Sequence, residues 1–184
     1  MKFFYLFVSL SILTMVSCKS QKPIMSQADM DAFNTLVKSQ HYEIESDWLY
    51  PHASMALQQV LNSGVLPAGN NANSISLGGN SNFLKISGDS ISSYLPYYGE
   101  RQMSVDYGGR DSTIEFDGTV NNYQIEQNKD MSYTITFDAK SNFEGFKVFI
   151  KLSPNLKSDM TISGNTRSSI RYTGTVKPIV EDEL

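Results

Sequence analysis

The chain has 184 residues, a length typical of one domain, and a formal net charge of −4 at pH 7. Its 15 Lys and Arg residues are mixed along the chain with 19 Asp and Glu residues, so no basic face is expected and nucleic-acid binding is excluded as a function class. Charged residues make up only 18% of the chain while Ser, Asn and Tyr are plentiful, which favours turns and half-exposed strands over charged helices.

The N-terminus is typical of an exported lipoprotein. Lys2 supplies a positive charge, and the almost wholly apolar run 3–16 has the length of a signal-peptide core and is too short to span a bilayer comfortably. The run ends at Ser17 and Cys18, and Cys18 is the only cysteine of the chain. This ending resembles the bacterial lipoprotein box, in which the signal peptide is cleaved before a cysteine that then carries lipids. An ordinary signal peptide with a chance cysteine is the alternative.

This start predicts the organisation of the whole chain. We expect a signal peptide at 1–17, a lipidated tether at 18–26, one mostly β domain at 27–178 and a solvated acidic tail at 179–184. Without a thiol beyond Cys18, the domain has no disulfide, no thiolate catalysis and no cysteine metal site. After Cys18 the tether reads Lys19-Ser20-Gln21-Lys22, without the acidic run that resembles a surface-export signal of bacterial lipoproteins. This favours a lipid-anchored position in the outer membrane, facing the periplasm.

Two helices are predicted before the sheet. Ser26 is a plausible N-cap, and apolar residues at helical spacing predict a helix over 27–40 that covers one face or one end of the sheet. A second, short helix is predicted over 53–62, with Gly64 as a candidate C-cap. Between them, Tyr42, Ile44, Ser46 and Trp48 are expected to share one face of a strand whose other face is acidic.

Alternating apolar and polar residues predict further short strands separated by turn residues. The predicted strands are 74–77, 84–86, 91–95, 103–107, 114–116, 123–125, 131–137, 146–152, 160–162 and 170–176. Connections this short allow only antiparallel neighbours. We therefore predict a mainly β fold, a strongly curved antiparallel sheet or partly closed barrel, with a β-sandwich as the alternative. The stretch 84–101, with its turn at Gly88 and Asp89, is expected to lie at its centre.

Chemistry-bearing motifs are scarce, so we predict no enzyme, no cofactor and no metal site. His41 and His52 lie near strand ends with no metal-type spacing, and the chain contains no nucleophile elbow, phosphate loop or metalloprotease box. Catalysis by paired carboxylates would need two of them opposed across a cleft, whereas their positions are also those of an exposed sheet face. The carboxylates in question are Glu43, Glu45, Asp47, Asp106, Asp111, Glu115 and Asp117.

An aromatic patch supplies the candidate binding residues Tyr97, Tyr98 and Arg101, beside Tyr94 and Glu100. Tyrosine rings near a turn and an arginine could stack on a sugar or hold a peptide, because amphipathic rings suit half-exposed contacts. In the alternative interpretation the tyrosines close the end of the barrel and Arg101 pairs with a nearby carboxylate.

Two segments carry a resemblance to a known family. The first runs from Gly88-Asp89 to Leu95-Pro96-Tyr97-Tyr98-Gly99, and the second contains Arg167, Ile170, Tyr172 and Gly174 at the spacing R-x-x-I-x-Y-x-G. Together they resemble an uncharacterised domain-of-unknown-function family of exported lipoproteins from Bacteroidota-type bacteria. The resemblance covers the chain from about residue 30 to its end. It implies a single exported, membrane-anchored domain and no established activity.

Two hypotheses of function follow. In the first, the protein is a non-catalytic envelope lipoprotein that binds a small apolar or amphipathic ligand in the concavity of the curved sheet. In the second, it has no ligand and scaffolds an envelope complex through an exposed aromatic patch around Tyr97, Tyr98 and Arg101. A hydrolase is the weakest alternative. In each case the membrane is a partner through the lipid anchor.

Overall fold

The structure, a computed structural model, describes residues 25–52, 54–65, 69–100, 113–141 and 144–180. The predicted signal peptide with Cys18, the predicted strand 103–107, Arg101 and residues 181–184 of the predicted tail lie outside the described residues.

Helix α1 (Gln27–Ser39) confirms the first predicted helix. The hydroxyl of Ser26 accepts a hydrogen bond from the backbone N–H of Asp29 at 3.1 Å, which satisfies one of the free donors of the first turn. The helix ends where Gln40 adopts the left-handed conformation. Helix α2 (Met55–Val60) is shorter than predicted because a π-helical turn (Leu61–Val65) follows it, and Gly64 lies inside that turn at a φ of 85°.

Ten strands in the described segments form one antiparallel sheet. They are β1 (His41–Pro51), β2 (Ile75–Ser76), β3 (Phe83–Ser87), β4 (Ser90–Pro96), β5 (Thr113–Thr119), β6 (Asn121–Gln127), β7 (Tyr133–Lys140), β8 (Gly145–Leu152), β9 (Lys157–Gly164) and β10 (Ile170–Pro178). The order is β5-β4-β3-β1-β10-β9-β8-β7-β6, with the short β2 paired to β1. The sheet curves into a nearly closed barrel, which confirms the predicted fold class.

The strand order corrects the prediction that 84–101 is the centre of the sheet. Strands β3 and β4 lie towards one edge, while β1 lies in the middle between β3 and β10. The first and last of the described strands are therefore neighbours. Sequence alternation specifies each strand but says little about which distant strand pairs with it, because pairing depends on contacts far apart in sequence.

The barrel closes where the two edge strands follow one another in the chain. Strand β5 pairs with β4 and β6 pairs with β7, and only Val120 separates them. The N–H of Val120 donates to the carbonyl of Asp89 in the β3–β4 turn at 2.9 Å. The rings of Phe116 and Phe146 meet across the seam with centroids 5.6 Å apart. The continuous segment 113–127 thus contains both edge strands of the sheet, β5 and β6, with a bend at Val120.

The inward side chains form one continuous apolar cluster. Its largest fully buried members are Tyr42, Tyr172, Phe33, Phe137, Ile44, Leu49, Leu77, Leu84, Ile86, Leu95, Ile114 and Ile135. Helix α1 covers one end of the barrel, where the ring of Phe33 lies 5.7 Å from that of Tyr133. At this end, burial strongly raises the pKa of the Tyr42 phenol, and the hydroxyl of Tyr42 has no hydrogen-bond partner among the described residues.

A β-bulge in β1 corrects the predicted facing of Trp48. Ser46 pairs with Gly174 while Trp48 pairs with Thr173, so Asp47 is an extra residue on β1. Ser46 and Leu49 point inward and are buried, whereas Asp47 and Trp48 both lie on the outer face. An inserted residue reverses the alternation beyond it. A second correction concerns Met131, which was predicted to begin a strand: it lies in the β6–β7 turn at a φ of 65° and is 41% exposed.

We predict that Gly174→Ala destabilises the fold. A β-carbon at Gly174 would overlap the backbone carbonyl of Glu45 and the α-carbon of Ser46, so β1 and β10 would have to separate at the bulge. The expected loss of unfolding free energy is roughly 2–4 kcal/mol, measured by urea denaturation.

Gly145→Ala is the matched control, since a β-carbon at this strand position would meet nothing within 4 Å. Its unfolding free energy should stay within about 0.5 kcal/mol of the wild-type value. Equal stability of the two variants would show that the close approach at Gly174 carries no constraint.

Candidate functional site

The two segments of the family resemblance meet at the end of the barrel opposite α1. Arg167 and Glu144 form an ion pair there, with Nη2 of Arg167 2.8 Å and its Nε 2.9 Å from Oε2 of Glu144. The two side chains are 5% and 4% exposed. The other carboxylate oxygen of Glu144 accepts from the N–H of Thr166 at 3.2 Å. Both oxygens of this buried carboxylate are therefore hydrogen-bonded.

Arg167 also holds the end of the barrel together through its remaining contacts. Its Nη1 donates to the carbonyl of Thr113 at the start of β5, at 3.0 Å. Its guanidinium lies 4.7 Å from the ring centre of Tyr97 and 5.5 Å from that of Phe146. A guanidinium over an aromatic ring is attracted by the negative face of that ring. Arg167 thus links β5, β8 and the segment after β4.

The tyrosines of the two segments complete this end cluster, which we define as Tyr97, Glu144, Arg167 and Tyr172. The hydroxyl of Tyr97 lies 2.8 Å from the carbonyl oxygen of Glu100, and the hydroxyl of Tyr172 donates to the carbonyl of Pro96 at 2.7 Å. Burial raises the pKa of the Tyr172 phenol well above its ordinary value. Arg167 and Glu144 pair with each other and the two tyrosine hydroxyls bond backbone carbonyls, so the arrangement suits closure of the barrel rather than chemistry on a ligand.

The candidate binding residues from the sequence are thus placed in different surroundings. Tyr97 is 5% exposed and belongs to the end cluster, whereas Tyr98 is 39% exposed. Arg101 lies outside the described residues. The family resemblance already pointed to the two segments. The contact between Arg167 and Tyr97 could not be predicted from the sequence, because the described strands β5 to β9 lie between the two residues in the chain.

The histidines and carboxylates do not assemble a centre in the described part of the chain. Nδ1 of His41 lies 3.0 Å from the hydroxyl of Ser87, and His52 is exposed. The acidic face of β1 pairs with lysines: Glu43 lies 3.1 Å from Lys85 and 3.3 Å from Lys177. Among the described residues, no group of three or more His, Cys, Asp or Glu side chains could hold a metal ion.

A largely apolar groove of about 860 Å³ lies at the α1 end of the barrel, and we call it the helix groove. One wall is the outer side of α1, and the other is formed by the β8–β9 turn and the end of β10. The lining residues are Met25, Asp29, Ala32, Phe33, Thr35, Leu36, Ser39, His41, Pro154, Asn155, Leu156 and Pro178. The groove lies beside the helix and not in the concavity of the sheet, where the sequence analysis placed a ligand.

In the β8–β9 turn, Leu156 lines the helix groove and has an unfavourable left-handed backbone conformation. Leu156 has a φ of 60°, in the left-handed region that glycine and asparagine occupy most easily, and it is 39% exposed. Its N–H donates to the carbonyl of Ser153 at 2.9 Å, which closes the turn. The turn thus places a leucine side chain on the wall of the helix groove. The positive φ of Leu156 is known only from the structure and could not be read from the sequence.

We expect Arg167→Met to destabilise the protein by about 3–5 kcal/mol, because it leaves the buried carboxylate of Glu144 without its cation. The double variant Glu144→Gln/Arg167→Met should lose clearly less than the single variant. Chemical denaturation of the three proteins provides the comparison.

Arg171→Met is the matched control, since Arg171 forms a half-exposed pair with Asp159 and should cost under about 1 kcal/mol. A similar loss for Arg167→Met and Arg171→Met would contradict the role assigned to the buried pair.

Comparison with known proteins gives a family and a fold. None of the helices in the described segments is long and apolar enough to cross a membrane. No curated protein matches the chain. The crystal structure of a DUF4251 family protein from Bacteroides eggerthii DSM 20697, 15% identical, matches with a TM-score of 0.56 over 82% of this chain and 88% of that one. The model of the family described as "Domain of unknown function (DUF4251)" matches residues 25–176, so the chain belongs to this family.

Proposed function

We propose that the protein is a non-catalytic, lipid-anchored protein of the bacterial cell envelope that binds a small amphipathic molecule in the helix groove. The observation that carries this proposal is the groove itself. Its volume of about 860 Å³ lies within the range of about 300–1,000 Å³ typical of small-molecule sites.

The lining of the helix groove supports an amphipathic rather than a purely apolar ligand. Apolar side chains come from both walls, with Phe33 and Leu36 on α1 and Pro154 and Leu156 on the turn. Polar groups lie on the same lining, namely Asp29, Thr35, Ser39, His41 and Asn155. An alkyl segment would lie on the apolar side chains, and a polar head group would remain beside hydrogen-bonding groups and water.

Burial of an alkyl chain supplies enough free energy for such binding. Each methylene removed from water contributes about 0.8 kcal/mol, so ten methylenes give roughly 8 kcal/mol before the cost of association. Because Phe33 is 1% exposed and Val37 fully buried in the barrel, α1 is fixed in place and the groove exists before the ligand arrives. Preorganisation of this kind reduces the cost of binding.

The predicted anchor would place the groove near a source of amphipathic molecules. Met25 lines the groove and follows Cys18 by seven positions, a distance of at most about 25 Å for an extended chain. A protein lipidated at Cys18 would therefore hold the groove close to the membrane surface. We place it at the outer membrane on the periplasmic side.

The anchor is tested with the variant Cys18→Ser. Full-length wild-type protein should incorporate radiolabelled palmitate that resists denaturing electrophoresis, and it should fractionate with the outer membrane. Cys18→Ser should lose both properties, because no other cysteine is present to carry lipid. Ser20→Ala, two positions later, should behave as the wild type. Palmitate incorporation by Cys18→Ser would contradict lipidation at this site.

The groove is tested by displacement of a fluorescent fatty acid, cis-parinaric acid, from the full chain with palmitate and with lysophosphatidylcholine. We expect saturable binding by the wild type. Ala32→Trp adds an indole to the groove wall without disturbing the core, because Ala32 is exposed on α1, and it should weaken binding at least about tenfold.

Ala28→Trp is the matched control, since Ala28 is exposed on the same helix and does not line the groove. Equal binding by the Ala32 and Ala28 variants, or no saturable binding by the wild type, would overturn the ligand proposal. The scaffold hypothesis would then be preferred and pursued by cross-linking the anchored protein to its envelope neighbours.

A further inference from the structure

A second surface that differs in chemistry from the helix groove lies on the outer face of β1, β10 and β9. Its centre is Trp48, the only tryptophan of the chain, which is 38% exposed. The indole borders a depression of about 440 Å³ lined by Asp47, Trp48, Ser153, Lys157, Ser158, Asp159, Thr173 and Gly174. We call this surface the indole patch. It shares no residue with the helix groove.

The backbone is shaped to present this indole. Regular alternation along β1 would turn Trp48 into the barrel, and the bulge at Asp47 turns it outward. The bulge is in contact with the chain on both of its sides, with β10 on one and with the segment after β2 on the other. Gly174 of β10 approaches so closely that a β-carbon would overlap the backbone of Glu45, and the N–H of Leu77 donates to the carbonyl of Asp47 at 2.9 Å. Bulges often re-aim a side chain at a binding surface.

Polar side chains on the same outer face as the indole pair with one another. Arg171 forms a two-point ion pair with Asp159, with Nε 2.8 Å from Oδ1 and Nη2 2.5 Å from Oδ2. Its guanidinium also lies 5.2 Å from the ring centre of Tyr50, which is on the same face of β1 as Trp48. Donors and acceptors of charged side chains thus lie on the same face of the sheet as the exposed indole.

The charges of the indole patch balance. Asp47 lies 3.6 Å from Lys157, and Asp159 is paired with Arg171, which lies on β10 two residues before Thr173 and outside the lining itself. Two carboxylates therefore face two cations. A surface of this kind offers no net attraction to a phosphate, a nucleotide or a polyamine. It offers hydrogen bonds to a neutral molecule that carries hydroxyl groups, together with one flat aromatic surface.

We propose that the indole patch binds a neutral pyranose oligosaccharide. The C–H groups on one face of a sugar ring carry partial positive charge and suit the negative face of the Trp48 indole. The ring hydroxyls then lie beside Asp47, Lys157 and Thr173, which donate and accept hydrogen bonds. The volume of the depression, about 440 Å³, lies within the range of about 300–1,000 Å³ typical of small-molecule sites.

Trp48 itself reports the binding, since its emission is the only tryptophan signal of the wild-type chain. The full chain is titrated with neutral oligosaccharides, namely cellotetraose, maltotetraose, mannotetraose, xylotetraose and chitotetraose, and with the charged probes polygalacturonate and inorganic phosphate. At least one neutral oligosaccharide should shift the emission saturably. The charged probes should not shift it more strongly than the neutral ones.

Calorimetry with variants then assigns the site. Trp48→Ala should weaken binding of that oligosaccharide at least about tenfold, whereas Phe149→Ala should leave it unchanged. Phe149 is the matched control because it is an aromatic residue on the outer face of β8 and is 46% exposed. The proposal is overturned if no neutral oligosaccharide gives a saturable shift, if Trp48→Ala binds like the wild type, or if a charged probe binds more tightly. Palmitate binding in the helix groove is unaffected by any of these outcomes.

Discussion

The pairing of β1 with β10 is the interaction on which the rest of the structure depends. It joins the first strand of the chain to the last, over a register that runs from Tyr42 opposite Pro178 to Pro51 opposite Ile170. The described strands between them are joined into the same sheet, whose edge strands β5 and β6 meet and nearly close it. At the bulge the two backbones approach so closely that only glycine fits at position 174. The same contact turns Trp48 outward, so one constraint shapes both the barrel and the indole patch.

The two ends of the barrel are closed by different interactions, polar contacts at one end and apolar packing at the other. At one end Arg167 and Glu144 form a buried ion pair, and the hydroxyls of Tyr97 and Tyr172 bond backbone carbonyls. In such a buried setting paired groups are strongly coupled and unpaired ones would be costly. At the other end α1 supplies apolar side chains to the core and leaves one side of itself bordering the helix groove. The first end holds strands together and offers little to a ligand. The second covers the core and still presents apolar surface.

Both proposed binding surfaces lie outside the barrel. The inward side chains of the described strands pack into one apolar cluster, so the concave face of the sheet serves the core. A ligand is then best accommodated where elements meet at the surface, either between α1 and the β8–β9 turn or over the bulge of β1. The two surfaces differ in kind, since one is largely apolar and the other balances two ion pairs around an exposed indole.

Local patterns in the sequence determined the helices and most strands. Contacts between residues far apart in the chain decided how the strands pair and which side chains lie together at the surface. Ser26 and the apolar spacing after it define α1, and alternation defines most strands, because capping and side-chain facing depend on neighbouring residues. Pairing of β1 with β10, the bulge that reverses Trp48 and the contact between Arg167 and Tyr97 join residues far apart in the chain. No local pattern encodes such contacts, and a single inserted residue reverses every side chain beyond it. The fold class was therefore predictable, while both candidate sites were decided by the tertiary structure.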